Sequence, residues 1–501
     1  MLSGVINTNV NALYALNSLN NTTNTTNTLE QELSSGLSIN SPADNPAGYI
    51  AAQGFTAQIN GTTQATANAN QAISLVQTAN GAITQQVNIL QNILSIASQA
   101  ANGGSTSQQL AALQQVVSQL ETEVSSISTQ TNFNGVNLLD GTFQGVSFQV
   151  GAQAGQTIGL SIASTAANQI GSYQSAGLTT AGSVYHKGGA SSGGVADDTG
   201  ASYAITSGGN GAFTAGTVGV SGSAGNASFA VSSTTESAKS LAQSINGITS
   251  STNVSATADT SVAFAVTAGS ISFTLGNGTG AAQTNTANIS ATVNSVSQTG
   301  LANLVNAVNE ETGTTGVTAS VNSQNELILT QVQGDNISIA NFAGTGKLQA
   351  GGTTTVQLQS GGPTSATIQG LVTLQSDSSF ALAAAASDIG LSGSSTLSAV
   401  SSVNVSTTAG ATAALNVINY ALQQLEGVGG QLGATQQQLQ DTVANLQVTN
   451  TNLTAAQGVV QDANIPQVTT QLTQEEILQQ AGVSALAQSN TLQQSFLKLL
   501  Q

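Results

Sequence analysis

Residues 418–460 read INYALQQLEGVGGQLGATQQQLQDTVANLQVTNTNLTAAQGVV, and every seventh position of this stretch is apolar. The row consists of Ile418, Leu425, Leu432, Leu439, Leu446, Leu453 and Val460. A seven-residue period that continues over this length is typical of one long helix whose apolar seam faces another helix throughout. The stretch therefore predicts a long helical rod near the C-terminal end.

The N-terminal part of the chain carries the same signal in shorter rows. The apolar residues that recur there are Val76, Ile83, Leu90 and Ala97, then Leu110, Val117 and Val124, and, three residues after each of these, Leu113, Leu120 and Ile127. We therefore predict an α+β fold, in which coiled-coil-like helical rods from both termini pack together and β-rich outer domains are inserted between them. This layout favours a self-assembling fibre subunit.

Charged residues are scarce in this chain. The 501 residues include four lysines, no arginine and 21 acids, so charged residues make up 5% of the chain; an average soluble protein has roughly 25%. The net charge of −17 argues against a nucleic-acid partner, because binding to phosphates needs clustered Lys and Arg. The absence of cysteine excludes disulfides and thiolate chemistry.

The apolar runs are short. None approaches the roughly 18 residues needed to span a bilayer, so no membrane segment is predicted. The first residues, MLSGVIN, have neither the basic region nor the apolar region of a cleaved secretory signal. We therefore expect a chain that does not insert into a membrane and is not exported through a cleaved signal.

Candidate catalytic or metal-binding residues are few. A zinc peptidase motif needs two histidines and a glutamate on one helix face, and the chain has the single His186. The acidic pairs Asp197–Asp198, Glu310–Glu311 and Glu475–Glu476 could be read as acid/base pairs or calcium ligands. Adjacent acids on a helix point apart, and a calcium loop needs several spaced oxygens. Solvated acids are favoured, and no enzyme, metal or cofactor site is predicted.

The chain changes composition along its length. Helix is predicted over residues 1–40, from about residue 49 to 102, from 107 to about 130, over 409–465 and over 472–500. Residues 41–48 contain two prolines and a glycine and predict a break, and residues 143–162 alternate as strands do. Residues 165–405 are rich in Gly, Ser, Thr and Ala and predict small β-rich domains.

An internal repeat lies in this middle region. Residues 240–248, SLAQSINGI, align with residues 300–308, GLANLVNAV, which follow sixty positions later. Each copy is predicted to be a short amphipathic helix followed by a strand, which gives two related units at about 236–275 and 296–340.

Residues 33–48, LSSGLSINSPADNPAG, closely resemble the LSSGLRINSAxDDxAG signature of bacterial flagellins. Further similar segments occur in the order found in that family: INTN at 6–9, QTNFNGV at 130–136, and ILQQAG with LAQSN between residues 477 and 490. The resemblance covers about residues 1–165 and 405–501.

The resemblance implies a division into domains. It predicts an inner-tube helical domain from 1–42 with 461–501, a surrounding helical rod domain with a β-hairpin from 43–165 with 406–460, and a variable outer region over 166–405. It also implies a homo-polymer that forms an extracellular helical filament, exported through the flagellar channel without a cleaved signal. An export chaperone and cap and hook-associated proteins are the further partners that the resemblance implies.

The inner helices have no other obvious partner, so their apolar side chains are expected to be buried between subunits. These self-assembly residues are Leu13, Leu16, Leu19, Leu29, Leu33, Ile477, Leu478, Leu486, Phe496, Leu497 and Leu500. The rod core is expected to consist of the seven-residue rows given above.

The chain departs from the family pattern where the family has arginines. The Arg of the LSSGLR segment is Ser38, the two NRF segments read Gln53–Phe55 and Gln437–Leu439, and the terminal Arg is Gln501. Contacts that are charge-assisted elsewhere in the family are therefore expected to be amide hydrogen bonds or apolar contacts in this chain.

We interpret the chain as a filament subunit for swimming motility, with a low charge that suits acidic surroundings. Adaptation to high salt or to high temperature, or a drift towards an amide-rich composition, would also lower the charge. A hook–filament junction protein, or a non-motile surface fibre built on a flagellin core, are the alternative functions. The ILQQAG segment and the large outer region favour the filament.

Overall fold

The computed structural model describes residues 9–102, 104–175, 184–186, 193–196, 202–205, 216–231, 237–278, 284–322, 324–350, 356–361, 364–368, 370–383 and 393–499. Asp197, Asp198, Leu500 and Gln501 lie outside these ranges. The same holds for the side chains of His186, Phe496 and Leu497.

Long helices form both ends of the described chain. The helices are α1 (Val10–Ser35), α2 (Pro46–Ala100), α3 (Ser107–Gln130), α4 (Ala238–Asn246), α5 (Thr249–Thr252), α6 (Gln298–Glu310), α7 (Thr312–Thr315), α8 (Thr408–Gln461) and α9 (Ile465–Leu499), with a 3-10 turn at Val400–Ser402. Polar side chains start several of them. The Asn9 side chain accepts the N–H of Ala12 before α1, and Thr106 with Gln109 forms a capping box at the start of α3.

The strands lie between α3 and α8. They are β1 (Asn132–Phe133), β2 (Val136–Asn137), β3 (Val146–Gln149), β4 (Thr157–Leu160), β5 (Gly171–Ser175), β6 (Val184–His186), β7 (Gly193–Ala196), β8 (Ser202–Ile205), β9 (Gly216–Gly222), β10 (Gly225–Val231), β11 (Ser255–Val266), β12 (Gly269–Gly278), β13 (Thr284–Val293), β14 (Thr318–Val321), β15 (Leu327–Gln331), β16 (Asn336–Gly344), β17 (Leu348–Ala350), β18 (Val356–Leu358), β19 (Ala366–Ile368), β20 (Leu371–Ser376), β21 (Ala381–Leu382) and β22 (Thr396–Ala399).

Several helix boundaries differ from the sequence prediction. Helix α2 begins at Pro46, inside the predicted break at residues 41–48. Helix α1 ends at Ser35 instead of residue 40, because Gly36 adopts φ 74° and its N–H closes the helix on the carbonyl of Glu32. Helix α8 ends at Gln461 instead of 465, and α9 begins at Ile465 instead of residue 472. Pro466 therefore lies in a first turn, where a missing N–H costs no helical hydrogen bond.

The chain packs as two compact units. One contains Met1–Gln77, Gly145–Ser161 and Gly433–Gln501, and the other contains Thr78–Gln144 and Ile162–Leu432. We call them the terminal unit and the central unit. The division falls within α2 and α8, and the domain boundaries that the family resemblance implies stay a prediction.

The terminal unit is helical, with one hairpin. Its helical parts are α1, α9 and the adjoining parts of α2 and α8. The alternating stretch 143–162 forms the antiparallel pair β3–β4, in which Phe148 lies opposite Ile158. The hairpin contacts α2, because the Asn68 amide donates to the carbonyl of Gln149 at 3.0 Å.

The central unit contains most of the sheet structure. Among the described residues its larger sheets have the strand orders β14-β15-β11-β20-β5-β22, with β17 paired to β11 and β18 paired to β17, and β13-β12-β16-β19-β6. A third sheet has the order β10-β9-β21. The predicted β-rich centre is therefore confirmed, and with the helical ends it gives the predicted α+β fold.

Two apolar clusters fill the β-rich part of the central unit. The larger one joins α6 to β11, β12, β13, β15 and β16 and contains Phe264 and the stacked pair Phe273 and Phe342, whose ring centroids lie 6.3 Å apart. The smaller one joins α4 to β9, β10 and β20 and contains Leu241 and Ile245. Each helix of the predicted repeat therefore supplies one side of its own core.

The two copies of the repeat use the same hydrogen bonds. In the first copy the Asn246 side chain accepts the N–H of Ala256 at 2.8 Å and donates to its carbonyl at 2.9 Å. In the second copy Asn309 makes the same pair of bonds with Ala319, at 2.7 and 3.0 Å. One amide thus fastens the end of each helix to the strand that follows it.

The register of the repeat differs from the one that the sequence alignment suggested. The paired asparagines lie 63 positions apart, and so do Asn253 and Gly316, both of which have positive φ, at 60° and 68°. The alignment of 240–248 with 300–308 is therefore wrong by three residues. Apolar residues recur every three to four positions on a helix face, so a slip of about one turn still aligns apolar residues.

We expect Asn309→Ala to weaken the second copy, because both backbone groups of Ala319 lose their partner. The substitution should lower the free energy of unfolding by about 1–3 kcal/mol, because two hydrogen bonds are lost and each contributes a net of about 0.5–1.5 kcal/mol. Hydrogen exchange of the Ala319 amide would measure it. Asn306→Ala is the matched control, since Asn306 is exposed on the same helix, and it should leave that exchange rate unchanged. Equal effects of the two variants would contradict the role given to Asn309.

Candidate self-assembly surface and helical core

Helices α1 and α9 lie side by side in the terminal unit and run in opposite directions. The Asn9 side chain donates to the carbonyl of Ser489 at 3.4 Å, while Gln479 donates to the Thr23 hydroxyl at 3.3 Å. Residue numbers on α9 fall from 489 to 479 as those of their partners rise from 9 to 23, so the two helices are antiparallel. Both polar contacts are neutral.

The predicted self-assembly residues are distributed unevenly over this pair. Leu29 is buried, and Leu19 and Leu486 are half-buried. The others that the structure describes are exposed in the single chain: Leu13, Leu16, Leu33, Ile477 and Leu478. The predicted set missed further exposed apolar side chains on the same two helices, namely Val10, Tyr14, Val483 and Leu492.

The exposure of these side chains is large. Leu13 is 56% exposed and Ile477 is 61% exposed. Helices that expose apolar side chains in this number are typical of surfaces that another molecule covers. We call the nine exposed residues Val10, Leu13, Tyr14, Leu16, Leu33, Ile477, Leu478, Val483 and Leu492 the open face of α1 and α9.

The segment between α1 and α2 is attached to the connection between α8 and α9. The backbone N–H and the hydroxyl of Ser38 both donate to the carbonyl of Gln461, at 2.7 and 3.2 Å. The N–H of Ala463 donates to the carbonyl of Gly36 at 2.9 Å. Ser38 stands where the family signature has an arginine, and it makes a neutral contact.

The predicted rod residues face the interior. The buried ones are Val76, Ile83, Leu90, Leu110, Val117, Val124, Ile418, Leu425, Leu432, Leu439 and Leu446. The half-buried ones are Leu113, Leu120, Ile127, Leu453 and Val460. Burial of the α8 row fades towards its C-terminal end, at Leu453 and Val460.

Amide side chains connect the helices within the central unit. The buried Gln86 of α2 donates to the carbonyl of Val124 at 2.9 Å and to that of Thr165 at 3.2 Å. Gln114 of α3 donates to the carbonyl of Val403 at 3.2 Å and accepts the N–H of Val405 at 2.5 Å. Each amide satisfies two backbone groups without using a charge.

Neutral side chains also connect α2 to α8 within the terminal unit. Gln457 donates to the Thr56 hydroxyl at 2.8 Å, and Asn450 donates to the hydroxyls of Thr62 and Thr63, each at 3.1 Å. The sequence predicted amide bonds in place of charged ones in general, but it did not identify these pairs.

Charged contacts are rare. Lys239 Nζ lies 2.8 Å from Asp335 Oδ2, and this is the one ion pair in the part of the chain that the structure describes. The N–H groups of Ser41 and Asn40 hold the pKa of Asp44 below its usual value. Burial, with a smaller effect of the nearby Asp44 carboxylate, raises the pKa of Glu32.

The described residues contain no group of three or more His, Cys, Asp or Glu side chains placed to hold a metal ion. Among the same residues, no helix combines the length and the hydropathy needed to cross a membrane.

Three family models match the chain. The bacterial flagellin N-terminal helical region matches residues 6–144, the bacterial flagellin C-terminal helical region matches residues 415–500, and the flagellin hook IN motif matches residues 270–333. The B-type flagellin of Pseudomonas aeruginosa is 34% identical over 518 aligned residues, which cover 99% of each chain. The chain belongs to the flagellin family.

Other flagellins also match the chain. Flagellin B of Helicobacter pylori is 30% identical, again over 99% of each chain. A solved structure described as FliC from Burkholderia pseudomallei is 22% identical, covers 73% of this chain and 99% of its own, and has a TM-score of 0.29. Flagellins are structural subunits of the extracellular flagellar filament and not enzymes, so this chain is a structural protein. The resemblance found in the sequence is confirmed.

The hook IN motif match contains the second copy of the repeat, from α6 to β14. The first copy, from α4 to β11, has the same asparagine bonds and the same positive-φ residue after its short helix. The central unit therefore contains the helix-to-strand repeat twice, and the family model matches the second copy.

We expect Leu425→Ala to destabilise the subunit by about 2–5 kcal/mol, because Leu425 is fully buried and the change leaves a cavity. Val448→Ala on the same helix is the control, since Val448 is 62% exposed; its effect should stay within about 0.5 kcal/mol. Urea unfolding of the monomer, followed by circular dichroism, would measure both. If the two variants unfolded at a similar urea concentration, Leu425 would not be part of the core.

Proposed function

We propose that the open face of α1 and α9 is the surface through which copies of this flagellin polymerise into a filament for swimming. The exposure of its apolar side chains supports this proposal: a single chain leaves Leu13, Ile477 and their neighbours in water. Covering one such side chain completely is worth roughly 1.5–3 kcal/mol. The sum over the face favours a polymer over separate chains.

The polar positions of the same helices support this assignment. Apolar and polar residues balance each other in α1, so the mean hydropathy of this helix is close to zero. Its middle consists largely of asparagine and threonine. Asparagine and threonine are weak helix formers, and isolated helices of this kind are marginal in water. Packing against neighbouring subunits supplies the stabilisation that helix propensity does not.

The proposed filament subunit needs other proteins for its export and assembly outside the cell. An export chaperone and cap and hook-associated proteins are proposed by family resemblance, and so is export without a cleaved signal. A hook–filament junction protein or a non-motile fibre are the alternatives. Motility of a strain that lacks the chain separates the non-motile fibre from the filament, because loss of a non-motile fibre leaves swimming unchanged. A junction protein is separated by electron microscopy, because a junction protein would occupy only the base of each filament and a filament subunit its whole length.

We expect the double substitution Leu13→Ser with Leu16→Ser to prevent polymerisation at concentrations where the wild type forms filaments. Two apolar side chains are lost from the interface, so the critical concentration should rise at least about a hundredfold. Sedimentation and electron microscopy would measure it. Asn17→Ser is the matched control, since Asn17 is exposed on the same helix. Normal assembly of the double variant would exclude α1 from the interface.

We also propose that the low charge adapts the filament to acidic surroundings. At pH 2–3 most carboxylates are protonated, while lysine stays charged. A flagellin with many arginines would then carry a large uncompensated positive charge, whereas this chain has four lysines and one histidine to contribute. Its contacts between helices are neutral amide and hydroxyl bonds, which do not change as carboxylates titrate.

Two exposed turns are the parts that acid should affect. Asp44 and Asp140 accept hydrogen bonds from neighbouring N–H and O–H groups, which hold both pKa values below the usual range. The Thr142 hydroxyl and N–H contribute most at Asp140. A lowered pKa in the folded state gives stability that is present above the unfolded pKa and is lost as pH falls through the folded value. Both side chains face water, so the effect is local.

We expect wild-type filaments to stay polymerised from about pH 2 to pH 7. The matched variant combines Thr56→Glu with Gln457→Arg and so replaces a neutral 2.8 Å bond with an ion pair. Its helical core should lose stability as pH falls through the lowered pKa of the new glutamate. Sedimentable mass against pH would compare the two. Wild-type filaments that come apart below pH 4 would end the acid proposal.

A further inference from the structure

Glu121 is a carboxylic acid in the helical core of the central unit. It lies on α3 between the buried residues Val117 and Val124 and is 8% exposed. Its Oε1 atom is buried and has no hydrogen-bond partner. A carboxylate in such a place has lost most of its hydration, which costs several kcal/mol unless a positive charge compensates.

The elements around Glu121 that the structure describes carry no basic side chain. The first basic side chain in the sequence is His186, so α2, α3 and residues 131–170 contain none. Within the central unit, the part of α2 has no ionisable residue, and those of the other surrounding elements are Glu123 on α3, Asp140 after it, and Tyr420 and Glu426 on α8. The 3-10 turn Val400–Ser402 contains none. Every charge that these elements can carry near neutral pH is negative and disfavours an ionised Glu121.

Two further polar atoms near this position lack partners. Gln86 Oε1 and Thr165 Oγ1 are buried without a hydrogen bond, although Gln86 Nε2 donates to the carbonyls of Val124 and Thr165. Val124 follows Glu121 by three positions, about one turn of α3. Gln86 Oε1 can only accept, which suits a protonated carboxyl or a buried water, while the Thr165 hydroxyl can both donate and accept.

We propose that Glu121 is a proton-dependent stability switch, in which the helical core of the central unit is built for the neutral carboxyl and is weakened when the carboxyl ionises. The buried position, the missing bond partner and the absence of a cation on the facing elements support this. The proposal concerns the folded single chain and stands apart from filament assembly and from acid resistance of the polymer.

The direction of the effect follows from burial. Burial raises the pKa of Glu121 to about 7 from the ordinary 4.5. The folded chain therefore binds a proton that the unfolded chain releases between these pH values, so stability falls as pH rises from about 4.5 to about 7 and then stays level. This is the reverse of ordinary acid denaturation, in which salt-bridged carboxylates make proteins less stable in acid.

The test compares Glu121→Gln with Glu123→Gln in the full-length monomer. Gln keeps the shape of the neutral carboxyl and cannot ionise, and Glu123 is exposed two positions away on the same helix. Hydrogen exchange of the α3 amides, corrected for intrinsic rates, would be followed from pH 4 to pH 8. Wild type and Glu123→Gln should lose protection by roughly a hundredfold over this range, while Glu121→Gln should lose little.

A second measurement covers the case in which Glu121→Gln folds poorly. Infrared difference spectra of the wild type should show a protonated carboxyl band that persists at pH 6, well above the titration range of exposed acids. Control variants with an intact Glu121 should keep the band. The same loss of protection in all three chains, or no protonated carboxyl at pH 6, would overturn the proposal.

Discussion

The structure depends on the burial of one apolar side chain in every two turns of α8. The row from Ile418 to Leu439 has almost no contact with water, and each Å² of apolar surface removed from water contributes roughly 25 cal/mol. This seam needs a partner, and in the terminal unit the partner is α2, where Gln457 and Thr56 meet although they are 401 positions apart. The β-rich centre of the chain therefore lies, in sequence, between two helices that pack against each other.

Neutral hydrogen bonds do the positioning that ion pairs do in many proteins. An exposed ion pair contributes about 0–1 kcal/mol and a neutral hydrogen bond about 0.5–1.5 kcal/mol, so little stability is lost when amides replace charges. Amides also carry a donor and an acceptor on one group. Gln114 and Asn246 use both to satisfy backbone groups on a neighbouring segment. Helix positions are thereby fixed by contacts that do not titrate.

The helical ends could be predicted well from the sequence, and the details of the outer region could not. Seven-residue rows predict burial from spacing alone, and in the structure the rows from Val76 to Leu446 contain buried side chains together with the half-buried Leu113, Leu120 and Ile127. The repeat was found, but its register was set three residues off, because an apolar pattern with helical period matches nearly as well after a slip of one turn. The hydrogen bonds of Asn246 and Asn309 define the register, and they exist only in the folded chain.

The long helices, their apolar seams, the β-rich centre and the family could all be inferred from the amino-acid sequence, because each follows from a local pattern or a contiguous motif. Which polar residues are buried depends on how distant segments pack in the folded chain. Glu121 lies four positions after Val117 and three before Val124, so helical spacing puts it on the same face as these apolar residues. Helical spacing does not show whether another segment covers that face, and the 3-10 turn Val400–Ser402, which contacts α3, is distant in sequence. Exposure of apolar side chains on α1 and α9 was decided in the same way, since burial is a property of neighbours and not of the residue.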